Sequence, residues 1–381
     1  MATSWQRGIA ILTGIYVSRM LGLFMVFPVF SLYASELAGA NKTLVGVALG
    51  IYGLSQGLLQ LPCGWLSDRF GRKPVIAAGL LLFVAGSLLA AAATTITMMI
   101  AARAVQGMGA IAAVTLAYAT DITPGEKLGK VMAILGGSIG MAFVLSLIIG
   151  PLVAAWIGVA GLFYLIALIA GLALVASLRL PLVATRPQTA ATGHYDKRQL
   201  IQAAAAIFFL HGVFTATFLV LPPLLVDAGI AKANHWWLYL PANLVALCFM
   251  RVKATPHPLN FGISYLLLAI GTGLLAMPFG MWWLLFALSI YFIAFYRLET
   301  GLPHWVAHIA SPDARGRAMG LYSSAQFLGS FCGGAVAGRL WHDLPPATVL
   351  LPLVAACACA ALLLLKIGKT TTLRAATHSN S

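Results

Sequence analysis

Apolar runs about twenty residues long, broken by short polar stretches, recur along nearly the whole chain. A hydrocarbon core about 30 Å thick takes roughly 20 apolar residues per helix. The pattern therefore predicts twelve spans, near 8–33, 44–64, 75–94, 97–120, 129–156, 160–180, 199–226, 236–252, 260–279, 282–307, 316–341 and 348–366. The eighth is short and contains Pro241 and Asn243, which suits a tilted or kinked helix. Removing it would move every later loop to the other side and erase the charge bias of the second half, so it is kept.

The most polar break, Pro181 to Arg198, divides the spans into two sets of six. The expected organisation is a bundle over 1–180, a linker over 181–198, a second bundle over 199–366 and a short polar tail over 367–381. The halves look related. Gly129-Lys-Val-Met-Ala133 enters span five as Gly316-Arg-Ala-Met-Gly320 enters span eleven, and each follows a loop with a proline, Pro124 or Pro312.

Composition confirms the class. The chain is 61% hydrophobic and 8% charged, against roughly a quarter charged in soluble domains. A net charge of +14 in a soluble protein would suggest a nucleic-acid partner. Here the cations are dispersed over short loops, and their bias sets orientation instead. Loops on one side carry seventeen Lys and Arg, among them Arg7, Arg69, Arg72, Lys73, Lys127, Arg315 and Arg317; the other side carries Lys42, Lys232 and Arg339. Both termini and the linker are thus expected in the cytoplasm. Arg7 precedes an apolar run as in a signal peptide, but that run lacks a convincing cleavage site and reads as a retained first span. Cys63, Cys248, Cys332, Cys357 and Cys359 lie in apolar segments without metal-ligand spacing and read as packing residues.

Five ionisable residues fall well inside spans: Arg19, Arg103, His211, Arg297 and Glu299. An exposed charge there costs at least about 3 kcal/mol. They occupy spans one, four, seven and ten, the same helix of each three-helix repeat, as residues lining one pathway would. Glu299 is either a proton carrier, its carboxyl neutralised by burial, or the permanently ionised partner of Arg297 or another Arg. His211 titrates near neutrality, but a lone His on an apolar helix is more often a hydrogen-bonded packing residue, and that reading is preferred. Arg103 opens Arg-Ala-Val-Gln-Gly-Met-Gly109 and shares a helical face with Gln106, so it can hold an anionic group or only tie its span to backbone carbonyls. Small-residue stripes mark span five (Gly136, Gly137, Gly140, and the pair Gly150-Pro151) and span eleven (Gly329, Gly333, Gly334, Gly338). Both predict tight helix packing, with a kink at Gly150-Pro151.

The densest charge cluster is Gly64-Trp-Leu-Ser-Asp-Arg-Phe-Gly-Arg-Lys-Pro74, between spans two and three. Gly64 and Gly71 suit a tight loop and Pro74 the first turn of the next helix. This stretch resembles the loop signature of the major facilitator superfamily. Arg103-Ala-Val-Gln-Gly107 resembles that family's fourth-helix motif. Gly150-Pro151 resembles the end of the fifth-helix motif of its proton-coupled antiporters, although Ala154 and Ala155 stand where that motif has glycines. Further similarity to a bacterial inner-membrane member of the family runs through Ser18-Arg-Met-Leu-Gly22, Gly50-Ile-Tyr-Gly53, Asp227-Ala-Gly229 and Gln326-Phe-Leu-Gly329; that member continues into a small soluble domain, whereas this sequence stops at Ser381.

The resemblance implies an all-α integral membrane protein, twelve transmembrane helices in two pseudo-symmetric six-helix bundles rocking about a cavity lined by helices one, four, seven and ten. It also implies that Arg72 pairs with Asp121, and that Asp68 faces the positive N-terminal end of span eleven near Gly316, latching the bundles when the protein is open outward. The expected function is proton-driven export of a small molecule from a bacterial inner membrane. A metabolite symporter and a membrane sensor or scaffold without turnover are the alternatives. The protein is expected to be a monomer in the lipid bilayer, with a proton gradient as energy source and without cofactor, metal or nucleic-acid partner. No phosphate-binding loop, paired carboxylates, His-Glu-x-x-His or nucleophile motif appears, so an enzyme is not expected.

Overall fold

The computed structural model describes residues 4–181, 193–249, 257–277, 279–311 and 314–379, with side chains from residue 5 through residue 368. Pro312, used above for the repeat, lies outside them, as do Arg186, Arg251 and Lys253 and the side chains of Lys369 and Arg374, five of the seventeen cations of the charge bias. The linker is described only at its ends.

The first half comprises α1 (Ser4–Phe24), α2 (Phe30–Ala34), α3 (Lys42–Phe70), α4 (Arg72–Ala91), α5 (Ile96–Met108), α6 (Ala112–Ile122) and α7 (Gly125–Ser177). The second comprises α8 (Lys197–Asp227), α9 (Trp236–Phe249), α10 (Pro258–Leu275), α11 (Met281–Ile309), α12 (Arg315–Asp343) and α13 (Pro346–Ser379). Among the described residues nine helical stretches are long and apolar enough to cross a membrane. One of them, α7, has 53 residues, about 80 Å of helix at 1.5 Å per residue, and must cross twice. It turns at Gly158, whose φ of +72° is open to glycine and strained for other residues. With α9 and the glycine-rich α12 the crossings number twelve, in two bundles of six.

Helix starts follow local chemistry. The Asn41 side chain accepts from Leu44 N at 2.8 Å, Thr95 Oγ1 from Met98 N at 3.2 Å, and Asp196 from Gln199 N at 3.0 Å. The Gln199 bonds hold the Asp196 carboxyl below its usual range. Two expected spans are broken. Span one stops being regular helix at Phe24 and resumes at Phe30, around Pro28, which cannot donate to the ladder. Span four is interrupted between Met108 and Ala112, where Gly79 of α4 leaves its carbonyl 2.5 Å from a Cβ placed on Gly109. The non-helical break in α7 lies at Gly158 rather than at Gly150-Pro151. Gly150 instead lets α7 pass over the broken part of span one, since a Cβ there would stand 2.4 Å from Met25 O.

The bundles meet chiefly where α3 lies along α12. Cβ atoms on Gly46, Gly50 and Gly53 would fall 2.3, 2.9 and 2.5 Å from the carbonyls of Gly334, Phe331 and Phe327. Gly329 and Gly333 do the same on the other side of α12, against Phe208 and Gly212 of α8. The span-eleven stripe is therefore tightly packed on two faces, as expected. The span-five stripe is not: Gly136, Gly137 and Gly140 have no atom within 4 Å of a placed Cβ. They look onto open space.

The bundles part at the face where α1 begins and α13 ends, here termed the termini face. Past Leu61 the helices α3 and α12 part, and Gly64 has nothing within 4 Å of a placed Cβ. At the opposite face the bundles are closed. Lys232 Nζ, in the loop after α8, pairs with Glu36 at 3.2 Å, beside a cleft of about 490 Å³ also lined by Lys42 and Trp341. Behind this pair His235 is buried, its ring nitrogen 3.3 Å from Ile230 O, and burial pushes the imidazole down to about 4.

Candidate functional site

Three helices of the second bundle bring polar groups together midway along the open space. Glu299 of α11 places Oε2 2.9 Å from His211 Nε2 of α8. Gln326 of α12 closes the triangle, its Nε2 2.7 Å from His211 Nε2 and 3.2 Å from Glu299 Oε1. The His211 side chain is 8% exposed and that of Glu299 is 29% exposed, so the cluster is inside the protein but reachable from the open side. His211 is therefore not the isolated packing residue expected from the sequence.

Phe214 and Phe295 flank His211 at 6.0 and 6.1 Å between ring centroids. Phe143 of the first bundle stacks on Phe295 at 5.7 Å and lies 5.7 Å from Phe214. Phe27 reaches Phe214 at 5.1 Å. Aromatic rings from both bundles thus close the space directly beyond the polar triangle. Such a wall excludes water from one side of the cluster while the other side stays wet, the asymmetry a one-sided site requires.

Arg297 does not pair with Glu299. Its Nε donates to Ser264 Oγ of α10 at 3.2 Å, because residues two apart on a helix point to nearly opposite sides. The permanently ionised Arg297–Glu299 pair is thereby excluded in this structure.

Arg19 and Arg103 are also not beside Glu299. Both are buried within the first bundle. Arg19 donates to Tyr52 Oη at 3.0 Å and Gln56 Oε1 at 3.1 Å, with its guanidinium 5.5 Å from the Phe83 ring. Arg103 donates to Gln106 Oε1, as their shared face predicted, and lies 4.9 Å over the Tyr52 ring. Gln106 in turn donates to Ser87 Oγ at 2.8 Å. The two arginines are held by amides, a phenol and π-faces. Tyr16 of α1 is buried within electrostatic range of both Arg19 and Glu299.

At the termini face Gly71, with φ of +97°, turns the chain from α3 into α4. Arg72 is 5% exposed and donates to Asp68, to Ser67 Oγ at 2.6 Å and to Asp121 Oδ2 at 3.1 Å. The Arg72–Asp121 pair is the one expected. Asp68 turns to Arg72 rather than to α12, and Gly316 is exposed. Lys73 does more than mark topology: it caps the end of α7, donating to Leu178 O at 2.7 Å and Leu180 O at 3.1 Å.

Gln326 and Tyr52 entered the sequence reading only as parts of family-like segments, and Tyr16 and Gln56 not at all. Their common signal was a polar side chain within an apolar span, which composition alone ranks below a charge.

The family model of the Major Facilitator Superfamily matches residues 12–333. The Inner membrane transport protein YajR of Escherichia coli is 36% identical over 340 residues, 85% of this chain and 75% of that protein. The class H tetracycline resistance protein of Pasteurella multocida is 32% identical over 156 residues, 40% of this chain and 38% of that protein. Among solved structures, the human organic anion transporter MFSD10 superposes with a TM-score of 0.72 at 17% identity, covering 95% of this chain and all of that one.

Proposed function

The chain belongs to the Major Facilitator Superfamily, and from that membership we propose that this multi-pass membrane transporter is a proton-coupled exporter of a small molecule, working by alternating access. The observation that carries the reading is the Glu299–His211 contact at 2.9 Å in a partly wet, aromatic-walled site. A carboxyl and an imidazole in hydrogen-bond contact can pass a proton between them, which suits uptake on one side and release on the other.

The same reading divides the chain into bundles over 1–180 and 199–366 joined by the linker, and places the termini face in the cytoplasm, from the excess of Lys and Arg there. The structure then corresponds to the inward-open state, and the Asp68 latch to Gly316 belongs to the opposite one. Arg72 stays paired with Asp121 throughout, holding the loop in shape. Similarity to a tetracycline resistance protein supports export over uptake. Energy comes from the proton gradient, with no cofactor, and the protein works as a monomer.

Everted membrane vesicles test this. Addition of a transported compound to vesicles holding a proton gradient should release protons, and Glu299→Gln should abolish the release while leaving the protein folded. Full proton-coupled transport by Glu299→Gln would remove Glu299 from the mechanism.

A further inference from the structure

We propose that His304 and His308, one turn apart at the end of α11, form a binding site for a divalent transition-metal ion of the zinc, nickel and copper class. The site is separate from the Glu299–His211–Gln326 cluster and uses none of its residues.

The helix sets up the pair. Residues four apart on a helix stand one above the other on the same face. Leu298, Leu302, Trp305 and Val306 are buried, whereas Thr300, His304 and His308 are exposed, so the two imidazoles share the outward stripe of α11. Trp305, between them in sequence, secures the inward side. Its Nε1 donates to Gln199 Oε1 of α8 at 3.1 Å, and its ring lies 5.5 Å from that of Phe261 on α10. The backbone that carries the pair is thus fastened to two neighbouring helices, while the rings themselves stand in the open.

The spacing of the rings fits a shared ion. They lie 4.6 Å apart between centroids, inclined at 64°. An ion bonded at about 2.0–2.1 Å to one nitrogen of each ring, with the two bonds about 90–110° apart, holds the centroids about 4.5–5.2 Å from each other. Chelation therefore needs the imidazoles to turn on their side-chain torsions and needs no shift of backbone. Among the described residues neither ring hydrogen-bonds to another group or pairs with an acid; the partner of each is the other ring.

The ligands decide the ion. Imidazole nitrogen suits zinc, nickel and copper, whereas magnesium and calcium take oxygen. Among the described residues no three or more His, Cys, Asp or Glu gather as a metal site, so the protein supplies two ligands here and water completes the shell. Two ligands make a site that fills and empties with the supply of ion, in contrast to the closed four-ligand sites that hold a structural zinc. The position also favours a cation, since His308 is in the last turn of α11, where the carbonyl end of the helix is partly negative. Arg315 of α12 occupies one of those carbonyls, donating to Ala307 O at 3.0 Å, and its charge keeps the affinity moderate.

An ion shared by His304 and His308 closes one helical turn and so holds the end of α11 in shape. That end fastens the chain leading into α8: Asp196 N donates to Ile309 O at 3.3 Å, and Ser311 N donates to His194 O at 3.0 Å.

The test uses the full chain in detergent, purified without a polyhistidine tag, at mildly alkaline pH, where imidazole is neutral. Cu2+ is the spectroscopic probe and Zn2+ the thermodynamic one. With one equivalent of Cu2+, electron paramagnetic resonance of the wild type should show two imidazole nitrogens on the ion, and Zn2+ should raise the melting temperature. His304→Asn and His308→Asn should each weaken Zn2+ binding about 100-fold, the advantage of two joined binding groups over one, and each should leave a single imidazole on Cu2+ or none. His211→Gln should change neither readout, which separates this site from the proton cluster. If an Asn variant fails to fold, the corresponding Gln variant takes its place. A wild type that binds Cu2+ through fewer than two imidazoles, or a folded His304 or His308 variant that binds Zn2+ as the wild type does, overturns the proposal.

Discussion

Gly53→Ala probes the seam with the smallest possible change. The added Cβ would stand 2.5 Å from Phe327 O, against 3.4 Å where contact becomes ordinary, and the opposing atom is backbone, so no rotamer relieves it. Overpacking of this kind costs about 1–3 kcal/mol. The clash lies between the bundles, so the penalty falls on the state open at the termini face and spares a state in which α3 and α12 part at this level. The equilibrium between the two should then shift by roughly 5- to 150-fold towards the latter. A cysteine placed at Gly64, in a background lacking the five native cysteines, reports this through its rate of labelling from the termini side. Gly64 has nothing within 4 Å of a placed Cβ in the present state and should close in the other. Labelling should slow in Gly53→Ala and stay unchanged in Gly136→Ala, where the added methyl meets no atom within 4 Å. Unchanged labelling in Gly53→Ala would refute the claim that this seam decides the state.

Glu36→Gln should shift the distribution in the same direction but weakly, since the Lys232–Glu36 pair is more than half exposed on both sides and such pairs contribute about 0–1 kcal/mol; a shift as large in high salt as in low would argue against an ionic cause. His235 should make stability pH-dependent. Its folded value near 4 lies below an unfolded value of about 6.5, so the unfolded chain binds the proton first as pH falls. The stability contributed by the neutral buried ring is whole above about 6.5 and is lost towards about 4, by up to roughly 3 kcal/mol. Melting temperature in detergent should fall across that window in wild type and fall less in His235→Gln; parallel profiles would show that His235 is not the group.

Twelve crossings were legible because a bilayer tolerates only long apolar helices, and caps such as Asn41 and Asp196 mark their starts. The breaks after Phe24 and Met108 were not, since hydropathy is blind to backbone within an apolar run. The two glycine stripes read alike in sequence, yet Gly333 meets Gly212 while Gly137 meets nothing. What a small residue touches depends on the neighbouring helix, which the stripe does not encode. The site was half legible. Charge in an apolar span pointed to Glu299, but also to Arg297 as its partner, which residues two apart on a helix cannot be because they point to nearly opposite sides. Its actual partners come from α8 and α12, far away in sequence and joined to it only by the packing of the bundle. Arg19 and Arg103 show the converse, as ionisable residues at pathway-like positions that face inward to Tyr52 instead.

The bare contact between α3 and α12 has a kinetic consequence. Side chains that interlock across a surface must leave their rotamers, or lift over one another, before two bodies slide, and each such step adds to a barrier. Along Gly46, Gly50 and Gly53 the opposing surface is backbone together with the Ser330 Cβ, and these positions of α3 carry no side chain to disengage. Such a surface behaves as a bearing: it permits close approach and offers little to catch, so the time taken to change state is governed elsewhere, by the ion pairs and the proton.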